Sequence, residues 1–122
     1  MGIFSKLFSA GPTVRPTHVE TPADYREVTG SGAVIVNVWS PTCAPCRKLV
    51  PVLEQVATRY QGRVRVVEVN SHAASPALLG TLRIQATPTL IMYDEGEEIG
   101  RMTGFRPYGW FEEMIAAEYA GA

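Results

Sequence analysis

Two thiols three residues apart, Cys43 and Cys46, carry the richest chemistry in this chain. Read as the opening of a helix, Cys43-Ala44-Pro45-Cys46 puts both sulfurs on one side of a single turn, where they can bridge. Cys43 then stands at the helix N-terminus, where unpaired backbone N–H groups and the macrodipole stabilise a thiolate. The pKa of a thiol in such a position can drop from ~8.5 to about 7 or below. Cys46, one turn further in, is shielded and placed to resolve a mixed disulfide. Pro45 lacks an N–H, which costs nothing in a first turn, and it stiffens the loop between the sulfurs. Two other uses of the pair are weaker. A zinc site needs four ligands, and beyond the cysteines the chain offers only His18 and His72, far apart in sequence. A role as inert core cysteines fits poorly with a strand-to-helix junction and an intervening proline.

For this geometry a strand must deliver the chain to Cys43 and a long helix must carry Cys46. Val34 to Trp39 is a β-branched run of strand length, apolar on both faces except at Asn37, as in a central strand covered on both sides. Leu49, Val52, Leu53, Val56, Ala57 and Tyr60 then recur at helical spacing, with Pro51 predicting a kink and Gly62 a stop. Val64 to Val69 reads as a second buried strand interrupted by Glu68. Ser75 to Leu82 reads as a short helix with Pro76 at its first position. Thr89 to Tyr93 is a third strand, and Asp94-Glu95-Gly96-Glu97 is a hairpin turn into Ile99–Met102. Phe111, Met114 and Ile115 stripe a closing helix that begins near Pro107. Ahead of all this, Thr21-Pro22-Ala23-Asp24 writes a helix start that runs to Gly30. With a strand from about residue 15, the order is β-α-β-α-β-α-β-β-α. The expected fold is a three-layer α/β/α sandwich: a mixed central β-sheet with helices on both faces.

A length of 122 residues favours one domain, expected over 15–122, with residues 1–14 as a flexible lead. The lead does not read as a secretory signal, because Lys6 and Ser5 interrupt its apolar stretch. A net charge of −1 gives no electrostatic reason to expect nucleic acid. No apolar run approaches the roughly 20 residues of a membrane span. Two cysteines are too few for a disulfide framework.

Val38-Trp39-Ser40-Pro41-Thr42-Cys43-Ala44-Pro45-Cys46-Arg47 resembles the active-site segment of the thioredoxin family. Pro51 falls where that family has its helix proline, and Ala86-Thr87-Pro88-Thr89-Leu90 resembles its cis-proline segment. Gly96 and Gly104 match two later glycines, and the likeness covers roughly 15–120. The resemblance implies a thiol-disulfide oxidoreductase that reduces protein disulfides through Cys43 as nucleophile and Cys46 as resolving thiol. Its redox-active disulfide would be Cys43–Cys46, with no cofactor and no metal. Thr87 would offer its backbone to an extended substrate strand, and Pro88 would keep metals off the thiols. Ala86, Thr103, Gly104 and Phe105 would line the same apolar groove, with Trp39, Thr42, Ala44 and Pro45 completing the contact surface. The implied partners are protein disulfides and a reductase or dithiol donor. The implied setting is the cytoplasm, and the implied state a monomer.

The chain departs from the family pattern at four places. Ala44 replaces the usual glycine, Thr42 replaces a tryptophan, and Pro41 adds stiffness. Asn37 aligns with a buried aspartate thought to take the proton of the resolving thiol, which an amide cannot do. Asn37 itself is expected as a hydrogen-bonded core amide. Glu68, a lone carboxylate between Val67 and Val69, is the candidate replacement. It would be partly buried, within reach of Asn37, and would move that proton; an edge-facing solvated Glu68 is the competing expectation. The alternative function is a thioredoxin-like binding module with a sensing or vestigial dithiol.

Overall fold

The computed structural model describes residues 13–119. The sequence cues to the helix starts are realised as caps. In α1 (Pro22–Thr29) the Thr21 hydroxyl accepts from the Asp24 N–H at 3.2 Å. In α3 (Pro76–Leu82) the Ser75 hydroxyl accepts from the Leu78 N–H at 3.2 Å. Between them, α2 (Ala44–Arg59) carries the cysteines, and α4 (Tyr108–Glu118) closes the chain. Gly62, expected as the stop of α2, lies beyond it: Tyr60 is the C-cap, and Gly62 takes φ +84° in the turn that follows.

The strands are β1 (Thr17–His18), β2 (Ala33–Trp39), β3 (Val64–Asn70), β4 (Thr89–Asp94) and β5 (Glu97–Thr103). They form one sheet in the order β1-β3-β2-β4-β5. β1 and β2 run parallel to β3, whereas β4 is antiparallel to β2 and β5 to β4. Antiparallel pairing therefore reaches the central strand. The chain re-enters the sheet at the end where β2 finishes, so Thr89 pairs with Val38. The β4–β5 hairpin turns through Glu95 and Gly96, both at positive φ, a two-residue loop whose backbone matches the twist of the flanking strands.

Side-chain alternation sorts the core into two layers. Val34, Val36, Val38, Val67, Val69 and Ile91 pack with α1 and α3. Ile35, Val64, Val66, Leu90 and Met92 pack with α2 and α4. Val14, the last residue of the expected lead, donates its N–H to the Thr58 hydroxyl of α2 at 2.9 Å. Residues 1–12 of that lead lie outside the described residues, as do 120–122 of the domain.

Candidate active site

Cys43 is the N-cap of α2, and its sulfur accepts from the Cys46 N–H at 3.2 Å. The two sulfurs are joined as a disulfide, with Cα atoms 5.2 Å apart. The two cysteines differ in exposure. Cys43 is partly exposed at the rim, whereas Cys46 is 1% exposed beneath the first turn. Ala44, Pro45 and Thr42 are exposed around them. The approach to Cys43 is tied down by Ser40, which is buried at the end of β2. Its hydroxyl accepts from the Thr42 N–H at 3.2 Å and bonds the Thr42 hydroxyl at 3.0 Å and His72 Nε2 at 3.3 Å. Neither Ser40 nor His72 stands out as a site residue in the sequence; the signal is a small polar residue closing a buried strand.

The loop before β4 completes the rim. Cys43 Sγ lies 3.4 Å from the Thr87 carbonyl oxygen, to which a free thiol can donate. The Thr87–Pro88 bond is cis. Gly104, at φ +97°, donates its N–H to the Pro88 carbonyl at 2.9 Å, a backbone conformation that favours glycine. Thr103 pairs with Thr89, whose hydroxyl donates to the Ala86 carbonyl at 2.6 Å. Phe105 follows at 37% exposure, so Ala86, Thr87, Pro88, Thr103, Gly104 and Phe105 share one corner. Trp39, half-buried, lines a cavity of ≈270 Å³ beneath α2 together with Asn37, Glu68, Val50 and Leu53.

Asn37 and Glu68 are register partners in adjacent strands. Asn37 is 4% exposed, yet its Oδ1 has no hydrogen-bond partner among the described residues, and neither has Trp39 Nε1. The expected core amide thus leaves its oxygen without a partner among the described residues. Glu68 has a partner that its sequence neighbours do not announce. Its side chain is 30% exposed, and Oε2 meets His18 Nδ1 at 3.0 Å instead of Asn37. The other imidazole nitrogen meets Glu20 Oε2 at 2.7 Å. β1 is only two residues long, so no periodicity announces that His18 faces Glu68. Among the described residues, no group of three or more His, Cys, Asp or Glu side chains is placed to hold a metal ion.

The family model described as thioredoxin matches residues 16–117. The chain belongs to the thioredoxin family. Thioredoxins of Staphylococcus aureus strains Mu50 and MW2 are each 30% identical to it over 95 residues, spanning 78% of this chain and 90% of theirs. The solved structure of a mutant thioredoxin from Halobacterium salinarum NRC-1 shares the fold with a TM-score of 0.76. It is 22% identical and covers 89% of this chain and 95% of that one. With a bonded cysteine pair at the family's CxxC position, the chain is a thiol-disulfide oxidoreductase, and the thioredoxin family acts on protein disulfides. No described helix is long and apolar enough to cross a membrane.

Proposed function

We propose that this thioredoxin-family chain reduces protein disulfides, with Cys43 attacking and Cys46 resolving. The observation that carries the assignment is the asymmetry of the pair: Cys43 caps α2 at the rim, and Cys46 is buried one turn in. The Cys43 thiolate attacks one sulfur of the substrate disulfide, expels the other as a thiolate and forms a mixed disulfide. Cys46 then loses its proton and attacks Cys43 Sγ. The second substrate thiolate leaves, and two electrons have passed to the substrate. A reductase or a dithiol partner restores the pair, and no bound cofactor takes part.

The substrate segment lies along the Thr87 backbone, with Ala86, Pro88, Thr103, Gly104 and Phe105 beneath it. Trp39, Thr42, Ala44 and Pro45 belong to the same contact surface on the cysteine side, with Trp39 acting from its inner edge. Proximity of the Thr87 carbonyl to Cys43 Sγ supports this reading. Glu68 receives the proton of Cys46 through water in the cavity beneath α2. A volume of ≈270 Å³ admits several waters at about 30 Å³ each. Cys46 precedes Val50, a cavity-lining residue, by one helical turn on the same face of α2. The protein works as a monomer in the cytoplasm, a reducing setting in which the pair is returned to its dithiol form.

Insulin reduction with dithiothreitol as donor tests this function. Catalysed turnover that requires Cys43 is expected. No acceleration over dithiothreitol alone contradicts it and favours the binding module.

A further inference from the structure

The cavity beneath α2 has a polar wall that continues to the surface. Asn37 Oδ1 and Trp39 Nε1, an acceptor and a donor without protein partners among the described residues, both belong to residues lining it. Glu68 lines the same space, and its carboxylate reaches out to His18 Nδ1 at 3.0 Å. His18 Nε2 in turn meets Glu20 Oε2 at 2.7 Å, at a side chain 42% exposed. The chain of groups from the cavity to bulk solvent is thus carboxylate, imidazole, carboxylate.

We infer that His18 is the proton outlet of this site, passing outward the proton that Glu68 collects when Cys46 resolves a mixed disulfide. The inference rests on the Glu68 reading above. The proton leaves Cys46 Sγ for cavity water, which gives one to Glu68. Protonated Glu68 donates to Nδ1 of neutral His18, and Nε2 releases its proton to Glu20 or solvent. Glu68 returns to the carboxylate, and no electrons move in the relay. His18 acts through Glu68 and is therefore a positioning and relay residue. It meets neither the substrate nor the sulfurs.

The relay has a pH signature. Only neutral imidazole can accept from Glu68, and a charged imidazole beside the carboxylate makes it a weaker base. The hydrogen bond to Glu20, and then the bond and attraction to Glu68, hold the His18 pKa above 6.5 despite an opposing desolvation effect. Of the other charged groups, Arg15 ahead of β1 and Glu54 of α2 line the same cavity. The resolving step should therefore accelerate as pH rises from 6.5 through neutrality.

A symmetric chromogenic disulfide separates the two steps, because attack by Cys43 releases one coloured thiol and resolution by Cys46 the second. In stopped flow the second phase of the wild-type dithiol protein should rise with pH above 6.5. His18→Gln should flatten that profile and slow the second phase about three- to tenfold near pH 8, the low end of proton-transfer effects, with the first phase unchanged. In His18→Ala, added imidazole should restore the second phase only. Glu68→Gln should slow the second phase about ten- to a hundredfold. If Glu68→Gln is slow while His18→Gln keeps the wild-type rate and profile, or imidazole restores nothing in His18→Ala, the outlet is not His18 and the Glu68 reading stands. If Glu68→Gln resolves at the wild-type rate, the Glu68 reading falls and the outlet with it.

Discussion

The two faces of the central strand β2 are built to different rules. Toward α1 and α3 it presents Val34, Val36 and Val38, all fully buried against Val67, Val69 and Ile91. Toward α2 and α4 it presents Ile35, then Asn37 and Trp39, beside a cavity that also meets Glu68. The same strand is thus an apolar wedge on one side and half of a polar chamber on the other. Polarity enters this strand only under the helix that carries Cys46, where a buried thiol must lose a proton. An amide oxygen without a partner among the described residues costs about 1–3 kcal/mol, so this face gives up stability that the apolar face keeps.

The sharpest way to break this contrast is to exchange the rules of the two faces. Val36→Asn buries an amide in the apolar layer and should cost about 3 kcal/mol, combining lost packing with an unpaired polar group. A shift in the urea midpoint measures it; a midpoint near wild type would mean that both faces tolerate polarity alike. Next in size is a kinetic effect. In the Glu68→Gln background, Asn37→Asp supplies a carboxylate one strand away and should recover part of the lost ten- to hundredfold, roughly, in rate. Unchanged turnover in the double variant would separate Asn37 from proton transfer. Asn37→Leu alone should stabilise the fold by about 1 kcal/mol, the opposite sign to Val36→Asn, because it removes the orphaned acceptor.

The smallest effect is electrostatic. The folded pKa of His18 is raised by Glu20 and Glu68, so its pairs contribute stability that is complete below pH 6.5. That contribution is lost as pH rises through the folded pKa. The side chains are 42% and 48% exposed for His18 and Glu20, so the gain stays under about 1 kcal/mol. The stability difference between wild type and His18→Gln, read from urea midpoints, should therefore shrink between about pH 6 and 8; a difference that grows with pH would reverse the sign.

What was legible in the sequence is what local rules govern. Thr21, Ser75 and Cys43 mark helix starts because a cap needs only its own next turn. The strand from Val34 shows itself by continuous β-branched burial, the strand from Val64 by its buried valines, and Glu95-Gly96 by its turn chemistry. The dithiol at the strand-to-helix junction was visible for the same reason. What stayed hidden depends on pairing between distant segments. His18 faces Glu68 only because a two-residue strand docks on β3, and the Asn37 oxygen lacks a partner among the described residues only because of what its cross-strand neighbours do. His72 reaches Ser40 through the loop after β3, a contact no spacing encodes.

The division of labour between Cys43 and Cys46 is the centre of this account, and trapping tests it most directly. Cys46→Ser and Cys43→Ser proteins are incubated with a disulfide-containing protein such as insulin, quenched with acid and weighed by mass spectrometry. Cys46→Ser should accumulate the mixed disulfide, because attack proceeds and resolution cannot, while Cys43→Ser should accumulate almost none. Equal trapping by the two variants, or trapping by Cys43→Ser alone, would contradict the assignment of the exposed N-cap sulfur as the nucleophile.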